Sequence, residues 1–331
     1  MSSAKSNRFN SRRSLLEWLY ISLLLCLLGG YLAYSLLQDH IRIDFQERER
    51  LTKQARVVAD NLERQLHATN LALASVLSEI PEWRKDGWKL SVRHLKALSD
   101  AMPGVLTMFI IDAKGTIVAA DKPALVGQNV AKREYFVTVQ RYPNPSTLYV
   151  SVPFLTSRGN FTMNLARLVQ GPEGRFDGMV IAALDPDEFT ALLNSVIYSA
   201  DTNALLIHGD GMLFLSAPKR KNLVGFDQGK PDSFFTRQLQ SDRQLNVFTG
   251  TSYALGDDSM VAMATIQPAA LAMDKPLVAA VGRDMNALFA DWKHEVLKTC
   301  GLFGAVALSL LLGLVNYQRR RRATNPAVPK H

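Results

Sequence analysis

The chain has 331 residues, 47% of them hydrophobic, and 38 basic against 30 acidic residues give a formal charge of +8. The length allows two or three domains. The only cysteines, Cys26 and Cys300, sit in apolar runs near the two ends, so neither a disulfide framework nor a cysteine-ligated metal site is available between them.

Residues 1–14 carry Lys5, Arg8, Arg12 and Arg13 and no acid. Trp18 to Gln38 then runs 21 residues without a charge, and Thr299 to Gln318 runs another 20. About 20 apolar residues at a 1.5 Å rise cross the hydrocarbon core of a bilayer, and only a helix satisfies its own backbone there. Trp18, Tyr20, Tyr34 and Tyr317 stand near the ends of these runs, as interfacial aromatics do. The first run is longer than the apolar core of a signal peptide and no A-x-A site follows it, so it reads as an uncleaved anchor. The tail carries Arg319 to Arg322 and Lys330 and no acid. The positive-inside rule therefore places residues 1–14 and 319–331 in the cytoplasm, spans at 15–38 and 297–318, and residues 39–296 outside an inner membrane. The region between the spans is nearly neutral, 28 basic against 29 acidic residues. The high isoelectric point is thus a topology signal, and nucleic-acid binding is set aside.

Gln38 to Glu79 has neither Pro nor Gly, and Val58, Leu62, Leu66, Leu73, Val76, Leu77 and Ile80 recur at helical spacing. This predicts one long helix ended by Pro81, with residues 39–94 as the stalk and long helix of the outer domain; the charged first part suits a stalk or a dimer seam, or else a solvated helix covering one side of the domain. VLTMFIIDAKGTIVAAD is two strand-like runs around Ala113-Lys114-Gly115, a hairpin pattern. VGQNVAKREYFVTVQRYP predicts a short helix opening near Asn129 and closed by Pro143. STLYVSVPF, NFTMNLARLVQ and GMVIAALD read as three more strands. In DPDEFTALLNSVI, Asp185 is a helix N-cap followed by Pro186 at the favoured first position. The order partly recurs: a hairpin around Asp210-Gly211, a polar segment over 219–232, three strands, and a helix, MNALFADWKHEV, leading into the second apolar run. The fold class is α+β, with one sheet unit over 95–195 and a second over 196–296.

In this order FIIDAKGTIVAAD, NVAKREYF, LYVSVPF, GRFDGMVIAALD and LLIHGDGMLFLSAP make the chain resemble a double-Cache sensor, the PAS-like extracytoplasmic module of bacterial receptors. The nearest subgroup is the one found before diguanylate cyclases. The resemblance implies two tandem antiparallel-sheet units on a long N-terminal helix. It also implies a small ligand held in the membrane-distal unit between the sheet and the short helix. The amino-acid-binding branch of that family uses a Tyr, an Arg, a Trp-Tyr pair, a later Tyr and an Asp. Here Arg133, Tyr149 and Asp185 match, Tyr135-Phe136 replaces Trp-Tyr, and Gln128 replaces the first Tyr.

Strand alternation adds Arg167, which ends an apolar face and needs an anion, since a half-buried unpaired charge is costly. Arg133, Tyr135, Tyr149, Arg167 and Asp185 are therefore the candidate ligand-binding residues, with a carboxylate as the group two arginines would clamp. Arg167 paired with Asp185, Asp185 as a plain cap, and Tyr135 as plain core are the competing structural roles. In the second unit Tyr253, Arg283 and His208 have no supporting pattern. No nucleophile elbow, zinc helix or phosphate loop occurs, Ser216-Ala-Pro-Lys219 stands without partner motifs, and the six histidines lack ligand spacing, so no catalytic residue, metal or cofactor is expected. The chain reads as a membrane-anchored periplasmic small-molecule sensor. Its tail is too short for an output domain, so it would signal through a cytoplasmic or membrane partner, as a homodimer or a hetero-oligomer. The alternative is a non-catalytic scaffold whose ectodomain binds another periplasmic protein.

Overall fold

A computed structural model describes residues 2–324 apart from 157, 158, 160, 221–224, 254 and 255, with side chains outside 2–13 and 322–324. The basic residues of the extreme termini, Lys5 to Arg13, Arg322 and Lys330, lie outside the described side chains. Contacts divide the chain into two bodies, Arg48–Met285 and Met1–Glu47 with Asn286–His331.

The N-terminal helix α1 spans Ser2–Lys85. Within the larger body, Leu51, Ala55, Val58, Leu62, Leu66, Leu73, Val76, Ile80 and Trp83 are all buried. Their spacings of 3, 4 and 7 put them on one stripe, so helix formation and burial are satisfied by the same pattern. Pro81 does not end the helix, contrary to the sequence expectation. Pro81 costs a backbone hydrogen bond, but the turn it sits in buries Ile80 and Trp83, and the helix ends instead at Lys85, just before Gly87, whose φ is +70°. A second helix, α2 (Lys89–Ala101), follows without having been anticipated.

Two five-stranded antiparallel sheets come next. The first is built from β1 (Val105–Asp112), β2 (Ile117–Ala120), β3 (Tyr149–Val150), β6 (Asn164–Gln170) and β7 (Phe176–Leu184), in the order β2-β1-β7-β6-β3. Short strands β4 (Phe154–Leu155) and β5 (Phe161–Thr162) form a separate ribbon. The second sheet is built from β8 (Thr202–His208), β9 (Leu213–Ala217), β10 (Leu245–Thr251), β11 (Asp258–Ile266) and β12 (Leu277–Asp284), in the order β10-β11-β12-β8-β9. Strand for strand the two sheets share one topology: an opening hairpin, then a helix, then three strands that return beside it. The helix is α3 (Glu134–Arg141) in the first half and α5 (Phe234–Leu239) in the second. The halves are joined by α4 (Pro186–Ser195), whose cap Asp185 accepts a hydrogen bond from the Asp187 N–H at 2.9 Å.

Both hairpins turn where the sequence places them. Asp112 accepts from the N–H groups of Lys114 and Thr116, and Gly115 and Gly211 supply φ values of +82° and +93°. The α3 helix is shorter than expected, and STLYVSVPF forms only β3 and β4. After α6 (Met285–Leu288), α7 (Ala290–Thr324) belongs to the smaller body with residues 14–47 of α1. There the two helices run antiparallel. Trp292 donates to the Leu36 carbonyl at 2.9 Å, Gly29 leaves room for the Phe303 ring, and Glu17 meets Gln318 and Arg321 at 3.2 and 2.7 Å. Both helices are long and apolar enough to cross a membrane.

Gly178 in β7 has a φ of +123°, and a Cβ there would lie 2.1 Å from the Ile111 carbonyl oxygen. Gly178→Ala should lower stability by about 2–4 kcal/mol. Gly127, at φ +85° in open space, should lose only about 1–2 kcal/mol as Gly127→Ala. Urea unfolding midpoints of the two variants check this ordering.

Candidate functional site

The helix α3 lies over one face of the first sheet. Phe136 and Val139 are its buried anchors, packed with Phe109, Ile111, Ala166, Met179 and Ile181. Where α3 passes beta3 and β6, packing stops and a cleft opens, with about 480 Å³ of free space including its mouth. Four side chains of α3 line it, Glu134, Tyr135, Thr138 and Val139; the floor is Tyr149, Asn164 and Ala166. The far wall comes from the second half of the chain: His208, Asp210, Asp274 and Lys275.

That far wall is fixed by strand-like pairing. Leu148 N–H donates to the Ala272 carbonyl at 3.3 Å, Asp274 N–H donates to the Leu148 carbonyl at 3.2 Å, and the Val150 N–H donates to the Asp274 carboxylate at 2.7 Å. The two-residue edge strand β3 is thus completed by a loop more than a hundred residues away. Burial pushes the Asp274 carboxyl above its ordinary value, against the Val150 N–H that favours the charged form.

His208 is fully buried. Its Nδ1 accepts from the Asp210 N–H at 3.2 Å, so Nε2 carries the proton and donates to the Val150 carbonyl, also at 3.2 Å. The neutral ring satisfies both partners. Burial holds its pKa below the usual 6.5; Lys275 acts in the same direction, while the hydrogen bond to Val150, Asp210 and Glu134 oppose it. Lys275 itself is paired with Asp210.

Asn164 is the exception to this satisfied network. It is 1% exposed, and neither its side-chain nitrogen nor its oxygen has a partner. Its backbone is fully used, accepting from the Ser151 N–H and donating to the Ser151 hydroxyl, both at 2.9 Å. An amide held in place at the floor of a cleft with unmet donor and acceptor costs free energy unless something else supplies the bonds.

The five residues singled out from sequence separate here. Tyr135 and Tyr149 both line the cleft. Tyr135 has its pKa pushed up to about 12 by burial, and its ring lies 5.3 Å from that of Phe154. The Tyr149 hydroxyl is committed to its own loop, accepting from the Asn144 N–H at 2.8 Å and donating to the Tyr142 carbonyl. Arg133 is exposed at the N-cap of α3, with its guanidinium 5.7 Å from the Phe154 ring centre, beside the cleft and not among the residues lining it. Arg167 projects from the opposite face: Tyr149 pairs with Ala166, so Arg167, one residue on, points away, and it donates to the Ser146 carbonyl at 3.2 Å. Asp185 is occupied as the cap of α4. The clamp of two arginines is not assembled.

Sequence reasoning missed Asn164, Asp274 and Glu134. Asn164 had one visible signal, an amide in the middle of the apolar run FTMNLARLV. Of the second-half residues, His208 lines this cleft, Tyr253 lines another cavity, and Arg283 pairs with Asp201 at 2.6 Å. Among the described residues, no cluster of three metal-binding side chains forms.

A family profile described as the Cache domain matches residues 42–291. No curated protein matches the chain. Several solved structures share its fold. One is described as the extracellular domain of a histidine kinase, rpHK1S-Z16, with 20% identity and a TM-score of 0.64, covering 75% of this chain and 98% of that one. The periplasmic sensory domain of the Campylobacter jejuni chemoreceptor Tlp1 has 15% identity and a TM-score of 0.59, covering 75% and 98%. The ligand-binding domain of the Pseudomonas aeruginosa PAO1 amino acid chemoreceptor PctB, in complex with L-Arg, has 14% identity and a TM-score of 0.54, covering 73% and 97%.

Two outcomes are expected from this geometry. Asn164→Leu removes an unpaired amide at nearly constant shape, so stability should be unchanged or higher by about 1 kcal/mol, read by chemical unfolding. His208 resists protonation in the folded state while the unfolded chain takes a proton below about pH 6.5. Stability should therefore fall as pH drops below that value, and His208→Gln should flatten the loss in melts between pH 7 and 5.

Proposed function

The chain belongs to the Cache domain family, and from that premise we propose that it is a sensor whose first-half cleft takes a small polar ligand carrying an amino group. The observation that carries this reading is Asn164, an amide fixed in the cleft floor with two unmet hydrogen-bonding atoms. The charge of the walls supplies the class. Glu134 and Asp274 present carboxylates, whereas Lys275 is already spent on Asp210 and the arginines lie outside the lining. An ammonium group pairs with these acids, which form no ion pair among the described residues although Lys275 lies near Asp274, and a donor–acceptor pair elsewhere on the ligand meets Asn164. Tyr135 and Phe154 flank the entrance, with Arg133 beside them as the partner for an anionic end. Structures of similar fold support the class: PctB in complex with L-Arg, and the Pseudomonas fluorescens chemoreceptor CtaA in complex with L-isoleucine at 16% identity and a TM-score of 0.51.

In this reading the two apolar helices cross the inner membrane, the termini are cytoplasmic and residues 39–296 face the periplasm. The protein is a receptor and does no chemistry on its ligand. Ligand seated between α3 and the 272–275 loop favours one packing of the two sheet units over another, by no more than its difference in affinity for the two. A partner protein reads that difference through the membrane helices.

Melting the chain in lipid nanodiscs against the twenty L-amino acids and simple amines tests the reading. A ligand at 100 times its Kd stabilises by about 2.7 kcal/mol, or roughly 5–10 °C in a domain of this size. Asp274→Asn should weaken the responding ligand by roughly 30-fold or more. In the parent protein the affinity should fall as pH drops through the raised pKa of Asp274, because its proton removes the charge that the ammonium pairs with. A panel with no response, or a response indifferent to Asp274→Asn, would remove the support for this site.

A further inference from the structure

The second half of the chain holds a cavity in the same topological place, between α5 and the face of the second sheet, with about 450 Å³ of free space including its mouth. Its chemistry is the reverse of the first. Leu205, Ile207, Val261, Met263 and Ala280 form the floor, with Phe234 beside them, and among the described residues no charged side chain lines it.

One polar group in it is unmet. Gln228 is 5% exposed, and its side-chain nitrogen has no hydrogen-bond partner. The backbone of Gln228 is pinned from both sides, donating to the Gly211 carbonyl at 2.7 Å and accepting from the Ser233 hydroxyl at 2.7 Å. By contrast Asn203, also on the wall, is already bonded to Arg220 and to the Asp201 carbonyl. A buried, unpartnered N–H donor on a residue that lines an apolar cavity asks for a single acceptor on an otherwise apolar body. A charged ligand would lose its hydration there with no counter-charge to replace it. Tyr253 lies at the mouth, partly exposed, with the Lys230 ammonium 4.5 Å from its ring centre.

We propose that this cavity is a second binding site, for a small uncharged molecule with an apolar body and one hydrogen-bond acceptor, a carbonyl above all, that accepts from Gln228. The site is independent of the first cleft and of the ligand assigned to it. One chain then carries two receptors of opposite chemistry, one for a charged polar ligand and one for a neutral apolar ligand.

The test uses the full chain in nanodiscs, with empty nanodiscs as the blank, and three probes of one shape: acetophenone, α-methylstyrene, which replaces the carbonyl oxygen by a methylene group, and benzoate, which is charged. Equilibrium binding should be saturable for acetophenone, about tenfold weaker for α-methylstyrene, as fits one hydrogen bond, and undetectable for benzoate. Gln228→Leu should erase the preference of acetophenone over α-methylstyrene, and Ala280→Phe, which fills the floor, should abolish binding of both. Asn164→Leu, in the other cleft, should leave the affinity for acetophenone unchanged, whatever it does to amine binding there. Because the Gln228→Leu readout is a ratio of two ligands on one folded variant, loss of stability in Ala280→Phe would not decide the matter. The proposal is overturned if acetophenone does not saturate, if benzoate binds as well, if the preference survives Gln228→Leu, or if Asn164→Leu abolishes binding.

Discussion

The contact on which the candidate site depends is the pairing of residues 272–274 with the edge strand β3. Three hydrogen bonds, from Leu148, Asp274 and Val150, join loop to strand. A two-residue strand at a sheet edge is a weak element, with one row of backbone groups exposed. Here that row is filled from the other half of the chain, and the residue that fills it also supplies the carboxyl of the cleft. Asp274 therefore has two functions at once. It fixes the position of Val150, whose carbonyl in turn accepts from His208, and in the proposed reading it sets the charge that a ligand meets. The two halves are bonded to each other at the rim of the cleft. Under the proposed function, a ligand seated there acts directly on the packing of one half on the other.

The second theme is unmet hydrogen-bonding capacity. Most buried polar groups here are satisfied with economy: His208 uses both ring nitrogens, Tyr149 uses its hydroxyl twice, and Gln238 bonds to Arg243, Gln244 and Thr265. Against that background the Asn164 amide and the Gln228 side-chain nitrogen stand out, because each residue lines a cavity and has its backbone fixed. An amide without partners in a closed core would be a defect; at the wall of a cavity it is the observation on which both proposed sites rest. The two cavities occupy equivalent places in a repeated topology yet differ in the charge of their described lining residues.

Local chemistry was legible in the sequence, and long-range assembly was not. The Ala113-Lys114-Gly115 and Asp210-Gly211 turns, the Asp185 cap and the apolar stripe of α1 follow from rules that act within a few residues. Pro81 misled because a local penalty was outweighed by burial of Ile80 and Trp83, which only the tertiary structure supplies. Arg167 misled for a subtler reason. Alternation was counted through Met163, but β5 ends at Thr162 and β6 begins at Asn164, and only the pairing of Tyr149 with Ala166 fixes which face holds the cleft. In the far wall, His208 and Asp274 lie 58 and 124 positions from Val150, a distance over which no periodicity carries information.

The most direct measurement is a calorimetric titration of amino acids and amines into the full chain and into Asn164→Leu under the same conditions. The account predicts that at least one amine-bearing ligand gives saturable heat with the parent protein and none with the folded variant. Saturable binding that persists unchanged in Asn164→Leu, or no binding to either protein, would contradict it.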